Sequence, residues 1–543
     1  MPTIPIMRGT SISTTAMSTT TIRTTTIKSV WCAPESEDAP FMNLRAIEQA
    51  YRACRKRKRD TVRACLYETQ LLDNLVDARD ALQAGCWQPV PPVVFCVEKP
   101  KAREVYAAQF QDRVVHHLLV PWLEQALDRH FIYDAASNRK GKGTHFAVNR
   151  LQTFMRSRQG QGWFLQLDIA SFFNSIHQGI LLEILSSKLQ KAVRRGFMSL
   201  EQARQAYRLS QRIINQRVAE QAILIGHPEQ FERIPPHKRL ANSPAATGLP
   251  IGNLTSQFFA NLYMNELDQF VKHQLKCRHY VRYIDDFILL HEEQAQLQRW
   301  QQQIADFLQQ RLKLQLKAEF SLAPLSNGAD FLGYIVKPGY KLVRRRVLGN
   351  LHEKLQTLRA LIVQEQAQGE LINLKPDVRE QLRAVLASYW GHLNHANAWR
   401  LREKLFSRYA WLPWLFLDAQ QLTPRWLPAS VSSFASQCRY FTQQYAGFAC
   451  FIQKGRQWLC FMPGSKDMQI PIQTLDKHCA AMRRQRLGYA VITEQGYLCG
   501  GLKRRVLRLL WWPHSPPAVS LNQPAGATRH QLKAPLGGLY ARG

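Results

Sequence analysis

Tyr280-Val281-Arg282-Tyr283-Ile284-Asp285-Asp286-Phe287-Ile288-Leu289-Leu290 carries two adjacent aspartates between apolar flanks. The flanks hold β-branched and aromatic residues in short alternation, so they read as the two strands of a hairpin. The acids then fall near the turn, where both can reach solvent and a metal. Two carboxylates so placed repel each other unless a cation sits between them. Hard, oxygen-ligated Mg²⁺ is the natural one, and a pair of such ions clamps the attacking and leaving oxygens of a phosphoryl displacement. A solvated Asp-Asp turn is the bland alternative.

Upstream, Phe164-Leu165-Gln166-Leu167-Asp168 is an apolar strand ending in an aspartate, followed by Ile169, Ala170, Ser171 and the aromatic pair Phe172-Phe173. A lone aspartate there is usually a helix N-cap. With the aspartate hairpin downstream across a strand–helix pattern, it suggests a third carboxylate for the same metal. Lys101 and Arg103 alternate on one face of an expected strand, suited to triphosphate oxygens. His116 and His117 point apart on a helix and read as structural or backbone-contacting groups, not metal ligands. Asn138-Arg139-Lys140-Gly141-Lys142-Gly143-Thr144-His145 is a Gly-flanked basic loop opening a helix; it lacks P-loop spacing, so contact with a phosphate backbone is expected. Residues 190–240 are polar and mostly helical. Thr247 to Asn253 reads as a Gly/Pro loop, with a helix from Thr255. Residues 304–317 read as a basic helix, and Asp330 to Ile335 as a strand and turn.

The 543-residue chain has room for several domains, and 45% hydrophobic content supplies packed cores. Lys and Arg number 72 against 40 Asp and Glu, a formal net charge of +32. That excess points to a polyanion, most economically nucleic acid. An anionic membrane would require an amphipathic or spanning segment, and no apolar run has spanning length. The 11 cysteines lack CxxC pairs, which reads as reduced thiols and a cytoplasmic location.

In order, Asp168, Gly252-Asn253-Leu254-Thr255-Ser256-Gln257, Tyr283-Ile284-Asp285-Asp286 and Phe331-Leu332-Gly333-Tyr334 resemble successive motifs of reverse transcriptases, over about residues 43–410. Asp112-Arg113-Val114-Val115-His116-His117, Gly141-Lys142-Gly143-Thr144-His145 and Leu249 to Gln257 are most similar to the enzymes of diversity-generating retroelements. The resemblance implies an α+β right-hand polymerase with fingers, a palm built on an antiparallel sheet and a helical thumb. It implies that Asp168, Asp285 and Asp286, with the Ile169 carbonyl, hold two Mg²⁺ ions, Mn²⁺ being the alternative, and that dNTPs are the substrates. Lys101 and Arg103 match finger residues over the triphosphate. Phe173 matches the aromatic gate that excludes a ribose 2′-OH, and Phe331 to Tyr334 the primer grip. Lys317 is a candidate for protonating pyrophosphate, with Lys313 an open alternative. Ile251, Gly252 and Gln257 match the nucleotide-contacting loop. Related enzymes often have Gln where Ile251 stands and Pro where Gln257 stands; the loss of a polar contact at Ile251 fits loose template reading.

The expected layout is a disordered leader (1–40), fingers and palm (41–340), thumb (341–412, three helical stretches), a linker rich in Pro, Trp and Ser (413–435), a small α/β nucleic-acid-binding module (436–513) and a disordered tail (514–543). A transit peptide, or a start codon set too far upstream, is the alternative for the leader. Arg52, Arg55, Lys56, Arg57, Lys58 and Arg59 form a basic run read as a phosphate-contacting helix face. In the module, strand, helix and strand faintly resemble the amino-terminal domain of MutS-type repair proteins. That family's Phe-x-Glu pair would fall on Gln457 and Leu459, which removes the basis for base wedging. Lys503, Arg504, Arg505 and Arg508 support contact with phosphates.

The functional expectation is an RNA-directed DNA polymerase, error-prone at template adenines, working on a template RNA and a primer or cDNA, with a small basic accessory protein as a further partner. The other class is a reverse-transcriptase-fold RNA-binding or phage-defence component with untemplated or vestigial synthesis. Intact Asp168, Asp285 and Asp286 favour the enzyme.

Overall fold

A computed structural model describes residues 42–56, 61–98, 101–427, 433–464, 467–498 and 501–514. The expected leader, Arg57, Lys58 and Arg59 of the basic run, and residues 515–543 of the expected tail lie outside the described residues. The fold class is α+β, and the chain divides between Asn327 and Gly328 into two compact units.

The strands of the first unit are β1 (Val93–Val97), β2 (Arg103–Ala107), β3 (Trp163–Asp168), β4 (Ile223–Leu224), β5 (His279–Tyr283), β6 (Asp286–His291) and β7 (Ser321–Pro324). They form a three-stranded sheet ordered β2-β1-β4 and an antiparallel four-stranded sheet ordered β5-β6-β3-β7. The helix Leu254–Gln269 is buried on nearly every side, with Phe258, Phe259, Leu262, Tyr263 and Met264 as its large apolar residues. A helix of that composition belongs inside a core. Leu165, Leu167, Phe287 and Leu289 of the sheet join the same core. Strand alternation therefore puts Gln166, Asp168 and Asp286 on the opposite face.

Two expectations in this unit need correction. Lys101 lies outside β2, which begins at Arg103. The helix expected over 304–317 is Gln294–Phe307, extended by a π-helical turn over Leu308–Leu312 and ended by Lys313 in the left-handed region at φ 53°. From there Leu312, Leu314 and Leu316 recur every second residue, and an isolated antiparallel bridge joins Leu316 to Ile169. A period of two fits extended chain, not helix.

In the second unit, β8 (Ala329–Phe331), β9 (Tyr334–Val336) and β10 (Lys341–Val343) make an antiparallel sheet. Helices Arg345–Ile362, Pro376–Leu393 and Trp399–Arg408 follow. A hairpin of β11 (Val363–Gln366) and β12 (Gly369–Asn373) separates the first two of them. It continues a sheet completed by β13 (Ala449–Lys454), β14 (Gln457–Phe461), β15 (Met468–Pro471), β16 (Tyr489–Tyr497) and β17 (Lys503–Pro513). The order is β11-β12-β17-β16-β13-β14-β15, so the segments read as thumb and C-terminal module share one sheet. Gly369 makes the junction: a Cβ there would lie 2.2 Å from the Trp512 carbonyl oxygen. The stretch read as a linker contains a short helix, Leu412–Leu415, and an isolated bridge from Phe416 to Pro424; Phe416 and Trp426 are buried edge to face. Its tryptophans and phenylalanine bury large apolar area, which composition alone had filed as loop.

Candidate active site

Tyr283 and Asp286 are the last paired residues of the β5–β6 hairpin, leaving Ile284 and Asp285 as a two-residue turn. Ile284 has φ 58°. Left-handed backbone is costly for a β-branched residue, and glycine is usual at that place in such turns. The conformation is held by its surroundings. The Ile284 N–H donates to Ser137 Oγ at 3.1 Å, and its carbonyl accepts from Arg282 Nη1 at 2.9 Å. Arg282 is fully buried and forks onto Asp268 of the helix Leu254–Gln269, at 2.7 and 2.6 Å. Tyr280 Oη donates to the same carboxylate at 2.8 Å, while Asn261 bridges Arg282 to Ser137. Sequence reasoning missed this network. Its one signal was an arginine in the middle of an apolar strand.

Asp168 and Asp286 face each other as register partners in β3 and β6, and Asp285 stands beside them on the turn. Gln166 Nε2 donates to Asp286 Oδ1 at 3.0 Å. Burial pushes the Asp285 carboxyl up to about 6, with the Asp168 charge adding to it and Lys317 and Arg103 opposing. Asp286 is pushed up to about 7, again chiefly by burial. The Lys317 ammonium pairs with Asp168 Oδ2, and its backbone N–H donates to the Asp168 carbonyl at 2.9 Å. The extended Leu314–Lys317 segment thus puts Lys317, not Lys313, against the carboxylates.

Among the described residues, no three His, Cys, Asp or Glu side chains are drawn together closely enough to enclose a metal ion. Two observations nonetheless fit a hard divalent cation. Asp168 Oδ1 is buried and has no hydrogen-bond partner among the described residues. Burial makes Asp285 and Asp286 resist ionising, with the neighbouring Asp168 charge adding to it. The donors are oxygens throughout, the kind Mg²⁺ takes.

Gly252 explains how the 247–253 loop docks. At φ 121°, a Cβ would lie 2.8 Å from Val105 Cγ1 and 2.9 Å from the Tyr106 carbonyl oxygen. The Tyr106 N–H donates to the Ile251 carbonyl at 2.8 Å, and Asn253 Oδ1 accepts from the Ala108 N–H at 3.1 Å. Ile251 and Gln257 are half-buried, Gln257 in the first turn of the helix Leu254–Gln269. Phe173 is half-buried in the short helix Phe172–Ser175, its carbonyl accepting from the Leu249 N–H at 2.8 Å. The loop is therefore bonded both to the strand that starts at Arg103 and to Phe173.

Other basic groups are committed internally. Arg139 is spent on Asp128 at 2.7 and 3.0 Å and on the Ile132 and Ala135 carbonyls, so it braces its loop. Lys142 lies over the Tyr133 ring, and its ammonium is brought down to about 8, mainly by burial. Arg52 and Arg55 pair with Glu48 and Glu68. His116 is buried and held down to about 3, chiefly by desolvation.

Residues 97–336 match the family described as "Reverse transcriptase (RNA-dependent DNA polymerase)". Residues 97–336 therefore carry a domain of the reverse transcriptase family, within an α+β chain. Among individual proteins, it is similar to Protein YkfC of Escherichia coli (strain K12), at 22% identity over 324 residues, 53% of this chain and 76% of the relative. Similar solved structures include apo telomerase from Candida tropicalis, truncated from its C-terminal domain, with a TM-score of 0.34 and 10% identity over 47% of this chain and 55% of that one. Telomerase from Candida albicans with a fragment of telomeric RNA is another, with a TM-score of 0.34 and 9% identity over 59% and 58%. The chain spans less than two thirds of either telomerase chain.

Proposed function

We propose that the chain is an RNA-directed DNA polymerase of the diversity-generating type, copying a template RNA from a primer into cDNA with errors concentrated at template adenines. One observation supports the reading: Asp168 and Asp286 are register partners at the end of the β3–β6 ladder, Asp285 is next to them on the turn, and Lys317 pairs with Asp168, within the residues that match the reverse transcriptase family. When bound there, two Mg²⁺ ions, or Mn²⁺, would supply Lewis-acid activation of a primer hydroxyl and neutralise charge on the leaving pyrophosphate. Asp168, Asp285, Asp286 and the Ile169 carbonyl are the groups that would hold them. Arg103 and Lys101 bind the triphosphate of a dNTP. Lys317 carries the proton that the pyrophosphate takes. Phe173 closes the space beneath the sugar to a 2′-OH. Ile251, Gly252 and Gln257 border the nascent pair, and Ile251 offers it no hydrogen bond, so mispairs are rejected weakly. A small basic accessory protein fits this reading as a further partner.

Asp285→Asn and Asp286→Asn remove charge while easing burial, so both variants should fold. Each should abolish Mg²⁺-dependent cDNA synthesis in a primer-extension assay and leave RNA binding intact. Near-wild-type synthesis by either would refute the site. A wild-type chain that binds RNA yet extends no primer would favour instead an RNA-binding or defence component with vestigial synthesis.

Among the described residues no helix is long and apolar enough to cross a membrane.

A further inference from the structure

Lys503, Arg504, Arg505 and Arg508 do not share one environment. Lys503 and Arg505 are both met by the Glu494 carboxylate at 2.8 Å. Strand alternation sends Arg504 to the other face of β17. Val491 and Ile492 pair with Leu509 and Leu507, which leaves Arg508 as the extra residue of a bulge; bulges re-aim side chains in this way. Arg379 and Arg383 stand one turn apart on the helix Pro376–Leu393. Between helix and strand lies a cavity of about 320 Å³, lined by Arg379, Arg383, Gln495 and Arg504 with Trp426 and Val506 as its apolar wall.

The positive charge there is unbalanced. Glu380 is the acid in the lining, and it already pairs with Arg383 at 2.6 Å, both side chains well exposed. Arg379 Nη1 donates to Gln495 Oε1 at 2.9 Å, an uncharged acceptor. Its guanidinium is pushed down, first by burial and then by the charges of Arg508 and Arg504, with Glu380 opposing. Arg504 Nε, in the lining, is buried with no hydrogen-bond partner among the described residues; so is Nη1 of Arg508, which is outside the lining and adds charge from behind it. Buried donors left unpaired are costly, and like charges gathered together add to that cost. An anion in the cavity would give the Arg504 donor a partner and offset the gathered charge.

We infer that this cavity is a phosphate site that takes a phosphodiester of a single nucleic-acid strand. Guanidinium forks match phosphate oxygens two at a time. The cavity has room for one phosphate with its sugar and none for a duplex. Trp426 is 3% exposed, so it walls the site and offers no ring face for base stacking. The net charge of +32 favours a polyanion over a free anion. Inorganic phosphate and pyrophosphate share the chemistry, and the test separates them.

The full chain is titrated with labelled oligouridylate over a range of salt, without dNTP or Mg²⁺, as wild type and as R379Q/R504Q. The double variant should bind about ten-fold more weakly, and its salt slope should fall by about 1. R379K/R504K keeps the charge without the fork; it should restore the slope and only part of the affinity, and it guards against a glutamine variant that fails to fold. Thermal melting of R379Q/R504Q at or above wild type would exclude unfolding as the cause. Unchanged affinity and slope in both variants would overturn the inference. So would a site that wild type fills with pyrophosphate, and R379Q/R504Q does not, while oligonucleotide binding is equal in the two. The readout does not involve Asp285 or Asp286, so it stands or falls apart from the polymerase reading.

Discussion

Replacing Asp268 by asparagine removes one of the two charges in a fully buried pair. Arg282 and Asp268 are both at 0% exposure, and the carboxylate accepts from Arg282 Nε, Arg282 Nη2 and Tyr280 Oη. An amide offers one oxygen and turns an N–H₂ group toward the guanidinium, so one arginine donor loses its acceptor and the buried charge its counterion. Breaking a buried pair from one side costs about 3–5 kcal/mol, a large share of the roughly 5–15 kcal/mol that holds a domain folded. The effect should reach the Ile284–Asp285 turn, because Arg282 Nη1 is also the donor to the Ile284 carbonyl. A left-handed isoleucine stores about 1–3 kcal/mol of strain that its surroundings must hold in place. Hydrogen–deuterium exchange over 279–291 should therefore speed up, the urea midpoint of the first unit should fall, and cDNA synthesis should drop even at temperatures where the variant is folded. Putting apolar residues at both positions, D268L with R282M, should recover much of the stability but not the synthesis, since the turn still lacks its donor. An Asp268→Asn protein within about 1 kcal/mol of wild type, with unchanged exchange in the hairpin, would refute this account.

Three further outcomes follow from the site and its surroundings. Asp285 and Asp286 hold protons up to about 6 and about 7 when folded, whereas an unfolded chain releases them near 4. In EDTA the melting temperature should therefore be highest in mild acid and fall as pH rises through 6 and 7; Mg²⁺ should raise it most above that window, and a melting temperature that climbs with pH in EDTA would contradict the burial argument. Asp112 is 1% exposed and pushed up to about 7 by burial; its Oδ2 accepts from the Val90 N–H at 2.9 Å. Asp112→Asn keeps the acceptor and removes the charge, so it should raise the melting temperature above pH ~7 and much less in acid, and an equal change at both pH values would count against it. Phe173→Val should increase ribonucleotide incorporation in primer extension, and no increase would remove Phe173 from the sugar gate.

The hairpin and its two acids, the strand ending in Asp168 and the Gly-Pro loop before Thr255 were legible as local patterns. Each depends on alternation, composition or turn chemistry within about a dozen residues. Lys317 was readable as a candidate, but its choice over Lys313 was not. That choice rests on a π-helical turn and a left-handed Lys313 that end a helix where the charged residues continue its pattern. The hairpin 363–373 gave no sign that it would extend a sheet whose other strands begin at Ala449, because strand pairing at that separation is decided by which edges remain to be covered. The buried Arg282–Asp268–Asn261–Ser137 network joins three segments distant in sequence, and only the folded chain brings them together under Ile284. The sequence alone determined which groups could do the chemistry, since that is a matter of residue type and local period. The tertiary structure decided how those groups are held, because burial, counterions and backbone strain are properties of what surrounds a residue in space.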